Sequence, residues 1–390
     1  MFDITKEYAV FGSGKGARLF CRYVKEKYNI NIEKYIGFDE LDIDGYCRVS
    51  DLDTHFADKN IYIFIYVYDI EKAVYELGKK GYNNWICADD VLQEFADRNF
   101  NKNIEIKDFG IWADCFRRIQ NFKLYKNPNI MEISRIDFMI TERCSLKCQD
   151  CLNLMQYYKK PCDFKSGDLY KTIDMLDSVF DYIYDFRILG GEPFMNPDIY
   201  EIIGYASKKK HIGYVGIYTN ATIPLDKDKL GSLNKDKVYF YISDYGIQKQ
   251  ISEDYGKVLN ESGIHHTIMD FKNDKWIAAG KIVYHAYTEE VLEKLYKNCM
   301  GKICPTILNN RFYQCEFIAN ADNLRAIKKD KENYVEFTSD TDINKENIKK
   351  YQEKVKYLPG CRYCSRFNGN DVCVEAAIQL KEPLLYEKIE

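Results

Sequence analysis

The feature that most constrains the fold of this 390-residue chain is a repeated alternation of short apolar runs with helical patterns. The first series lies between residues 7 and 98, where helical "ARLFCRYVKEKY" and "IEKAVYELGKKG" alternate with "YAVFGSG", "EKYIGFDE", "IYIFIYVYD" and "NNWICAD". Apolar strands that are separated by helices pair in parallel. The pattern therefore predicts an α/β domain with a parallel sheet over residues 1–98.

A second alternation begins with "EISRIDFMI" at residues 132–140 and continues through "YIYDFRILGG", "YVGIYTN", "KVYFYISD" and "GIHHTIMDF". Such a series is typical of a barrel or partial barrel, in which functional groups gather at the carboxyl ends of the strands. Beyond about residue 291 the sequence becomes cysteine-rich and loop-rich. We expect four segments: an α/β domain at 1–98, a helical connector at 99–128, a barrel at 129–290 and a cysteine-rich domain at 291–390.

Composition argues against two kinds of partner. The 56 Lys and Arg and 60 Asp and Glu residues are interspersed, without the basic stripe of nucleic-acid binders. The longest apolar run, residues 61–68, is too short to cross a bilayer, and no secretion signal is visible. Fourteen cysteines in such a chain indicate metal or redox chemistry rather than disulfides. We expect a cytoplasmic protein that binds neither nucleic acid nor membranes.

Three cysteines, Cys144, Cys148 and Cys151, lie close together in "TERCSLKCQDC". The segment follows a predicted strand, so its thiols are expected at the functional rim of the barrel. A structural zinc site needs four ligands, and the next cysteine, Cys162, lies beyond "LNLMQYYKKP". Three thiolates can instead bind three irons of a four-iron, four-sulfur cluster and leave one iron open for a cofactor or substrate.

This Cys-x3-Cys-x2-Cys spacing after a first barrel strand resembles that of the radical SAM superfamily. The segment "LGGEP" ends the next predicted strand, and in that family such a segment holds the amino group of S-adenosylmethionine (AdoMet) through its backbone, which glycine leaves accessible. The resemblance implies a partial (β/α)6 barrel. Asp150 departs from the family pattern, which often has an aromatic residue near the adenine at this position. The resemblance also implies AdoMet contacts at Gly190, Gly191, Glu192 and Pro193, and ribose and carboxylate contacts at Thr219, Asn220, Ser243 and Asp244. For each of the last four residues, a role as a turn residue or strand cap stays the alternative.

The resemblance further implies a mechanism. Cys144, Cys148 and Cys151 would bind a 4Fe-4S cluster that a flavodoxin- or ferredoxin-type donor reduces. Cleavage of AdoMet would then give methionine and a 5'-deoxyadenosyl radical, which abstracts an unactivated hydrogen atom. In such an enzyme the cofactors carry the chemistry, while the protein orients them and excludes water.

A second group of cysteines follows the pattern Cys299-x4-Cys304-x10-Cys315, then, after 45 residues, Cys361-x2-Cys364-x8-Cys373. Short cysteine pairs on either side of a Lys- and Asn-rich insertion predict a shared metal. The arrangement resembles the Twitch and SPASM extensions of radical SAM enzymes, which hold auxiliary iron–sulfur clusters. A zinc ribbon is the alternative, because its cysteine pairs look the same.

The resemblance implies one auxiliary 4Fe-4S cluster of the Twitch kind. Cys315, Cys361 and Cys364 are its expected ligands, with Cys304 or Cys299 as the fourth. The family hairpin corresponds to "ILNNRFYQC", where Asn310 occupies a position that is usually glycine. Asparagine tolerates the left-handed backbone conformation that such a turn can need.

The first domain contains a glycine-rich turn. "VFGSGKGARL" places Gly12, Gly14 and Gly16 between a strand and a helix, and Asp39 follows the next strand. The turn resembles a Rossmann nucleotide-binding turn, in which the helix N-terminus accepts phosphate. Dinucleotide binding, another phosphate or carrier site and a turn without a ligand all stay open, because a single glycine turn has low specificity.

Three functions fit these patterns. The first is a radical SAM oxidoreductase that dehydrogenates or epimerises a small or carrier-linked substrate, namely a sugar or nucleotide-linked sugar. The second is a peptide-modifying radical SAM enzyme, for which a winged-helix domain would be usual before residue 100. The third is a non-catalytic scaffold that binds zinc and a nucleotide.

Overall fold

The computed structural model describes residues 2–40, 46–101, 109–247, 250–278, 281–299, 301–364 and 372–389. The chain forms two compact units, Met1–Ser134 and Arg135–Glu390. Most of the connector predicted at residues 99–128 lies in helices of the first unit, and its residues 102–108 lie outside the described part. Among the described residues, no helix combines the length and apolar character needed to cross a membrane.

The first unit is a parallel α/β sheet, as the alternation predicted. Its strand order is β3-β2-β1-β4-β5, and every neighbouring pair is parallel. This order matches the first five strands of a doubly wound Rossmann sheet. The elements are β1 (Tyr8–Phe11), α1 (Gly14–Tyr28), β2 (Ile32–Gly37), β3 (Cys47–Arg48), α2 (Leu52–His55), β4 (Tyr62–Ile65), α3 (Ile70–Lys79), β5 (Trp85–Cys87), α4 (Asp89–Asn101) and α5 (Phe109–Lys126).

Burial explains why the central strands read as continuous apolar runs. All four residues of β1 are buried, and so are the last three of β4, because both faces of these strands are covered. Helix α1 ends at Tyr28 and is capped by Asn29, whose φ of 56° lies in the left-handed region that asparagine tolerates. Helix α5 packs on α4, where Trp112 Nε1 donates to the Ala96 carbonyl at 3.1 Å.

The second unit contains the barrel strands and the cysteine-rich segment. Helices lie between the strands from β6 to β10, as the second alternation predicted. The elements are β6 (Glu132–Met139), α6 (Ser166–Val179), β7 (Tyr182–Leu189), α7 (Ile199–Ser207), β8 (Ile212–Thr219), α8 (Lys227–Leu230), β9 (Val238–Asp244), α9 (Ser252–Ser262), β10 (His265–Asp270), β11 (Lys275–Ile277), α10 (Glu289–Asn298), β12 (Thr306–Leu308), β13 (Arg311–Tyr313), α11 (Glu316–Asn323), β14 (Tyr334–Glu336), α12 (Thr341–Lys354) and β15 (Cys373–Glu375).

One sheet joins the two halves of this unit in the order β10-β9-β8-β7-β6-β12-β13-β14. All five strands expected from the second alternation form. The sixth parallel strand, β12, pairs with β6 and comes from the cysteine-rich segment rather than from residues 129–290. Its three residues, "TIL", are too few to give a readable period, so the sequence pattern did not reveal it.

The hairpin between β12 and β13 turns on two asparagines. Asn309 and Asn310 have φ of 51° and 60°, both in the left-handed region, and they connect the paired residues Leu308 and Arg311. A two-residue turn with both φ values positive matches the twist of an antiparallel hairpin. The expectation that Asn310 adopts this conformation is confirmed, and Cys315 follows two residues after β13.

Charged side chains are buried among the barrel strands. Arg187 Nε donates to Asp185 Oδ2 at 2.6 Å, and the Tyr239 hydroxyl donates to Asp185 Oδ1 at 2.7 Å. Each of the three residues is at least nine-tenths buried. Buried charges need such partners, because removal from water is otherwise costly. The apolar and aromatic pattern of these strands gave no sign of this network.

Candidate active site

Three thiols share one cavity at the carboxyl ends of the strands. The cysteine loop (residues 141–151) follows β6, and its Cys144, Cys148 and Cys151 line a cavity of about 540 Å³. This volume lies within the usual range of small-molecule sites. The cavity is also lined by five of the residues predicted to bind AdoMet, from the ends of the next three strands: Gly190, Gly191, Thr219, Asn220 and Ser243.

The two glycines allow the cysteine loop to pass close to the end of β7. A Cβ atom at Gly191 would lie 2.2 Å from the Arg143 carbonyl oxygen, and one at Gly190 would lie 2.4 Å from that of Thr141. The Gly191 N–H donates to the Thr141 carbonyl at 3.0 Å. The Glu192 N–H donates to the Arg143 carbonyl at 2.8 Å. Packing of the loop therefore requires glycine here, independently of any ligand.

Glu192 joins the ends of β7 and β8. Its side chain is fully buried and accepts from the Thr219 hydroxyl and the Asn220 N–H, each at 2.7 Å, and from the Phe194 N–H at 3.3 Å. Burial raises the pKa of Glu192 to about 7, although all three hydrogen bonds oppose that rise. The carboxyl thus holds in place two residues, Thr219 and Asn220, that line the cavity.

Three of the residues predicted to contact AdoMet are absent from the described cavity lining: Glu192, Pro193 and Asp244. Pro193 begins the short helical turn after β7 and is buried. Asp244 Oδ1 accepts from the Gly246 N–H at 3.0 Å, and Oδ2 pairs with Lys272 Nζ at 3.0 Å. These contacts give Asp244 a role in the turn after β9.

An aromatic wall, formed by Tyr245, Phe271 and Trp276, lines the same cavity. The rings of Tyr245 and Trp276 meet edge to face at 5.4 Å, and those of Tyr245 and Phe271 stack at 5.7 Å. Asp150 also lines the cavity, and burial raises its pKa. Tyr245 and Phe271 were not predicted; their position just after the ends of β9 and β10 is the signal that could have indicated them.

A strap (residues 376–380) runs along the cysteine loop in antiparallel direction. The Gln149 N–H donates to the Ile378 carbonyl and the Leu380 N–H to the Lys147 carbonyl, both at 2.8 Å. Between these bonds, Gln379 Nε2 donates to Cys148 Sγ at 3.1 Å. Sequence analysis missed the strap, because no local signal links segments about 230 residues apart.

Four other cysteines converge in the second unit. A Cβ atom at Gly301 would lie 3.4 Å from Cys299 Sγ and 3.6 Å from Cys315 Sγ. Burial raises the pKa of Cys361 to about 12, and the nearby Cys364 and Cys299 add to this rise. Burial and Glu316 raise the pKa of Cys315, and Cys364 and Cys299 again contribute. The set is Cys299, Cys315, Cys361 and Cys364.

Cys304 faces a different environment. Burial raises its pKa to about 12, and its strongest charged neighbours are Glu316 and Asp137, followed by Arg135 and Arg187. Cys373 is exposed on β15. Within the described ranges, no three His, Cys, Asp or Glu side chains stand close enough together to hold a single metal ion. A cluster is larger than one ion, so the two cluster assignments stay predictions.

Comparison with known proteins gave one curated relative. No family model matches the chain. The GTP 3',8-cyclase of Clostridium acetobutylicum is 33% identical over 92 residues, which are 23% of this chain and 28% of that enzyme. That relative is a radical SAM enzyme.

The chain resembles radical SAM enzymes.

Solved structures of radical SAM enzymes also align with the chain, at low scores. A crystal structure of BtrN in complex with AdoMet and 2-DOIA has 16% identity and a TM-score of 0.40, over 65% of this chain and 97% of that one. Streptococcus suis SuiB bound to S-adenosylmethionine has 19% identity and a TM-score of 0.31, over 59% of this chain and 50% of that one. Such scores add no argument for a function.

The glycine-rich turn of the first unit lies outside the radical SAM motifs and has structural partners of its own. A Cβ atom at Gly12 would lie 2.8 Å from the Tyr66 carbonyl oxygen, and one at Gly16 would lie 2.8 Å from the Tyr66 hydroxyl. The Gly14 N–H donates to the Tyr46 hydroxyl at 3.1 Å, and Asp39 Oδ1 accepts from the Ser50 N–H at 2.9 Å. The nucleotide site stays a prediction.

We expect Gly191→Ala to displace the cysteine loop. The added methyl group would meet the Arg143 carbonyl at 2.2 Å, and such overpacking costs about 1–3 kcal/mol or more. Hydrogen–deuterium exchange of residues 141–153 in the metal-free protein should therefore speed up. Gly204→Ala in α7 is the matched control, because its Cβ meets nothing within 4 Å. Equal exchange in both variants would contradict the proposed packing role.

Glu192 should make the stability of the metal-free protein fall as pH rises. Its pKa of about 7 lies above the ordinary 4.5, so the folded state retains a proton that the unfolded state releases. The resulting stabilisation is complete below pH 4.5 and disappears by about pH 7, a change of about 3 kcal/mol. Thermal unfolding from pH 4.5 to 8 should show this slope in the wild type but not in Glu192→Gln. A parallel slope in both proteins would contradict the assignment.

Proposed function

We propose that this chain is a radical SAM enzyme that cleaves AdoMet reductively and abstracts hydrogen from a sugar or nucleotide-linked sugar, by dehydrogenation or epimerisation. One observation carries the proposal. The three thiols of Cys144, Cys148 and Cys151 line the same cavity as Gly190 and Gly191 and the polar ends of β8 and β9. This is the combination that the radical SAM resemblance predicts.

The donor set fits an iron–sulfur cluster. Thiolates are the ligands that such clusters use, and three of them leave one iron open. Burial raises the pKa of Cys148 to about 12 and also raises those of Cys144 and Cys151. These thiols therefore keep their protons at neutral pH until a metal replaces them, which couples cluster binding to proton release. Two amide groups lie near the sulfurs, Gln379 Nε2 at 3.1 Å from Cys148 and Asn220 Nδ2 at 3.6 Å from Cys144.

The remaining lining suits AdoMet. The backbone at Gly190 and Gly191 is open to the cavity, and Thr219, Asn220 and Ser243 add polar groups from two strand ends. The rings of the aromatic wall could stack on the purine of AdoMet. They would then take the place of the aromatic side chain that the family often has at the position of Asp150. When bound, the cluster and AdoMet supply the radical chemistry. The chain binds them, orients them and keeps water away from the cavity.

The auxiliary cysteines support a second 4Fe-4S cluster. Cys299, Cys315, Cys361 and Cys364 form a set of four, which closes a site without an open position. We propose Cys299 as the fourth ligand, because Cys304 has acidic and basic neighbours in place of the other thiols. Such a cluster suits a dehydrogenase, because it can accept the second electron when a substrate radical is oxidised. Zinc bound by the same four thiols is the alternative.

The assignment of the substrate depends on fewer observations than the assignment of the cofactors. The first unit has the strand order of nucleotide-binding sheets, which favours a substrate linked to a nucleotide. A peptide-modifying enzyme is less well supported, because the described residues before 100 form a parallel sheet rather than a winged helix. The first electron would come from a flavodoxin- or ferredoxin-type protein.

The decisive experiment combines anaerobic reconstitution, reduction with dithionite and chromatography of the AdoMet products. The wild type should bind about eight irons per chain and release 5'-deoxyadenosine. A triple variant with Cys144→Ser, Cys148→Ser and Cys151→Ser should lose about four irons and all 5'-deoxyadenosine. Zinc in the purified protein without 5'-deoxyadenosine would establish the scaffold instead. Nucleotide sugars and peptides, added separately, should then differ in how strongly they stimulate 5'-deoxyadenosine formation.

A pair of cysteine variants tests the auxiliary site. Cys299→Ser should lower the iron content by up to about four irons per chain, because it removes a ligand of the closed set. Cys304→Ser is the matched control and should keep the wild-type iron and sulfide content. Iron loss in Cys304→Ser with full retention in Cys299→Ser would reverse the ligand assignment.

A further inference from the structure

Gln379 contacts the cysteine loop through both ends of its side-chain amide. Gln379 Oε1 accepts from the Lys147 N–H at 2.8 Å. Gln379 Nε2 donates to the Ala377 carbonyl at 2.8 Å and to Cys148 Sγ at 3.1 Å. The strap thus brings a neutral hydrogen-bond donor to the sulfur of one cysteine of the proposed cluster site.

The orientation of this amide is fixed by its partners. The backbone N–H of Lys147 can only donate, so the amide atom that faces it must be the oxygen. The Ala377 carbonyl can only accept, so the atom that faces it must be the nitrogen. A flipped amide would lose both bonds. The group directed at Cys148 Sγ is therefore an N–H donor.

The strap is also held without help from the Gln379 side chain. Backbone hydrogen bonds join residues 149 and 378 and residues 147 and 380, on either side of Gln379. Ala377 is buried and packs against Leu146 and Cys148. Removal of the amide should therefore leave the strap in place, so a variant at this position tests the hydrogen bond itself.

We propose that Gln379 is a positioning residue that tunes the iron–sulfur cluster proposed above, by raising its reduction potential through the bond to Cys148 Sγ. This inference rests on the proposed function. Reduction adds a negative charge to the cluster and its thiolates, so a hydrogen-bond donor stabilises the reduced form more than the oxidised form. Hydrogen bonds to the sulfurs are a recognised determinant of cluster potential, and their effect is larger where water is excluded.

Two variants of similar shape separate hydrogen bonding from packing. Gln379→Leu removes the donor and retains most of the volume. Gln379→Glu keeps an acceptor for the Lys147 N–H but replaces the donor at Cys148 with a negative charge. Ile378→Ala is the control, because the Ile378 side chain is 40% exposed and its backbone carbonyl still binds Gln149.

The experiment is a redox titration of the reconstituted 390-residue chain, followed by electron paramagnetic resonance with and without AdoMet. Only the signal that AdoMet perturbs belongs to the cluster with an open iron, which separates it from any auxiliary cluster. The midpoint potential should shift downward in Gln379→Leu and further in Gln379→Glu, while Ile378→Ala keeps the wild-type value. Formation of 5'-deoxyadenosine with a flavodoxin donor should fall in the same order and recover with a stronger reductant.

Three other outcomes would each overturn either the inference about Gln379 or the proposed function. An unchanged potential in both Gln379 variants with full iron content would overturn the inference and leave the proposed function intact. Loss of the AdoMet-sensitive cluster from both variants would also overturn it, in favour of a structural role. A wild type without any AdoMet-sensitive cluster would overturn the proposed function itself.

Discussion

The close approach of the cysteine loop to the end of β7 is the contact on which the site depends. Gly190 and Gly191 leave space for the loop backbone at Thr141 and Arg143, and two backbone hydrogen bonds hold it there. Packing and hydrogen bonds thereby join the cysteine loop to the strand end that lines the cavity. Glu192 extends this connection to β8 through Thr219 and Asn220. A motif that is read as a ligand-binding signature is therefore also a packing requirement.

Local sequence patterns predicted most of the fold. The parallel sheet of the first unit, the five strands from β6 to β10 and the left-handed Asn310 were all expected, because each leaves a periodic or turn signal over a few residues. Strand β12 was missed because three residues carry no period. The strap was missed because its partners lie more than 200 residues away, and only the folded chain brings them together.

In the candidate site, too, features with a local sequence signal were predicted and features without one were missed. The three cysteines and the glycine pair could be recognised from spacing, since both occupy short contiguous stretches after strand ends. The sequence could not separate Cys299 from Cys304 as the fourth auxiliary ligand, because five residues of separation do not determine where a side chain points, and the choice of Cys299 stays a proposal. The aromatic wall left a weaker signal. Tyr245 and Phe271 directly follow strand ends, but an aromatic residue in a loop has the same composition signal whether it packs or lines a cavity.

The position of the strap in the sequence determines when, during synthesis, the cysteine loop can find its hydrogen-bond partners. During synthesis, the barrel lacks its sixth parallel strand until residue 308 has been made, and the cysteine loop lacks its cover until residue 380 has been made. Until then, the backbone of the cysteine loop lacks its hydrogen-bond partners at Ile378 and Leu380. The strap can therefore pair with the cysteine loop only after the strands from β6 to β12 have been made.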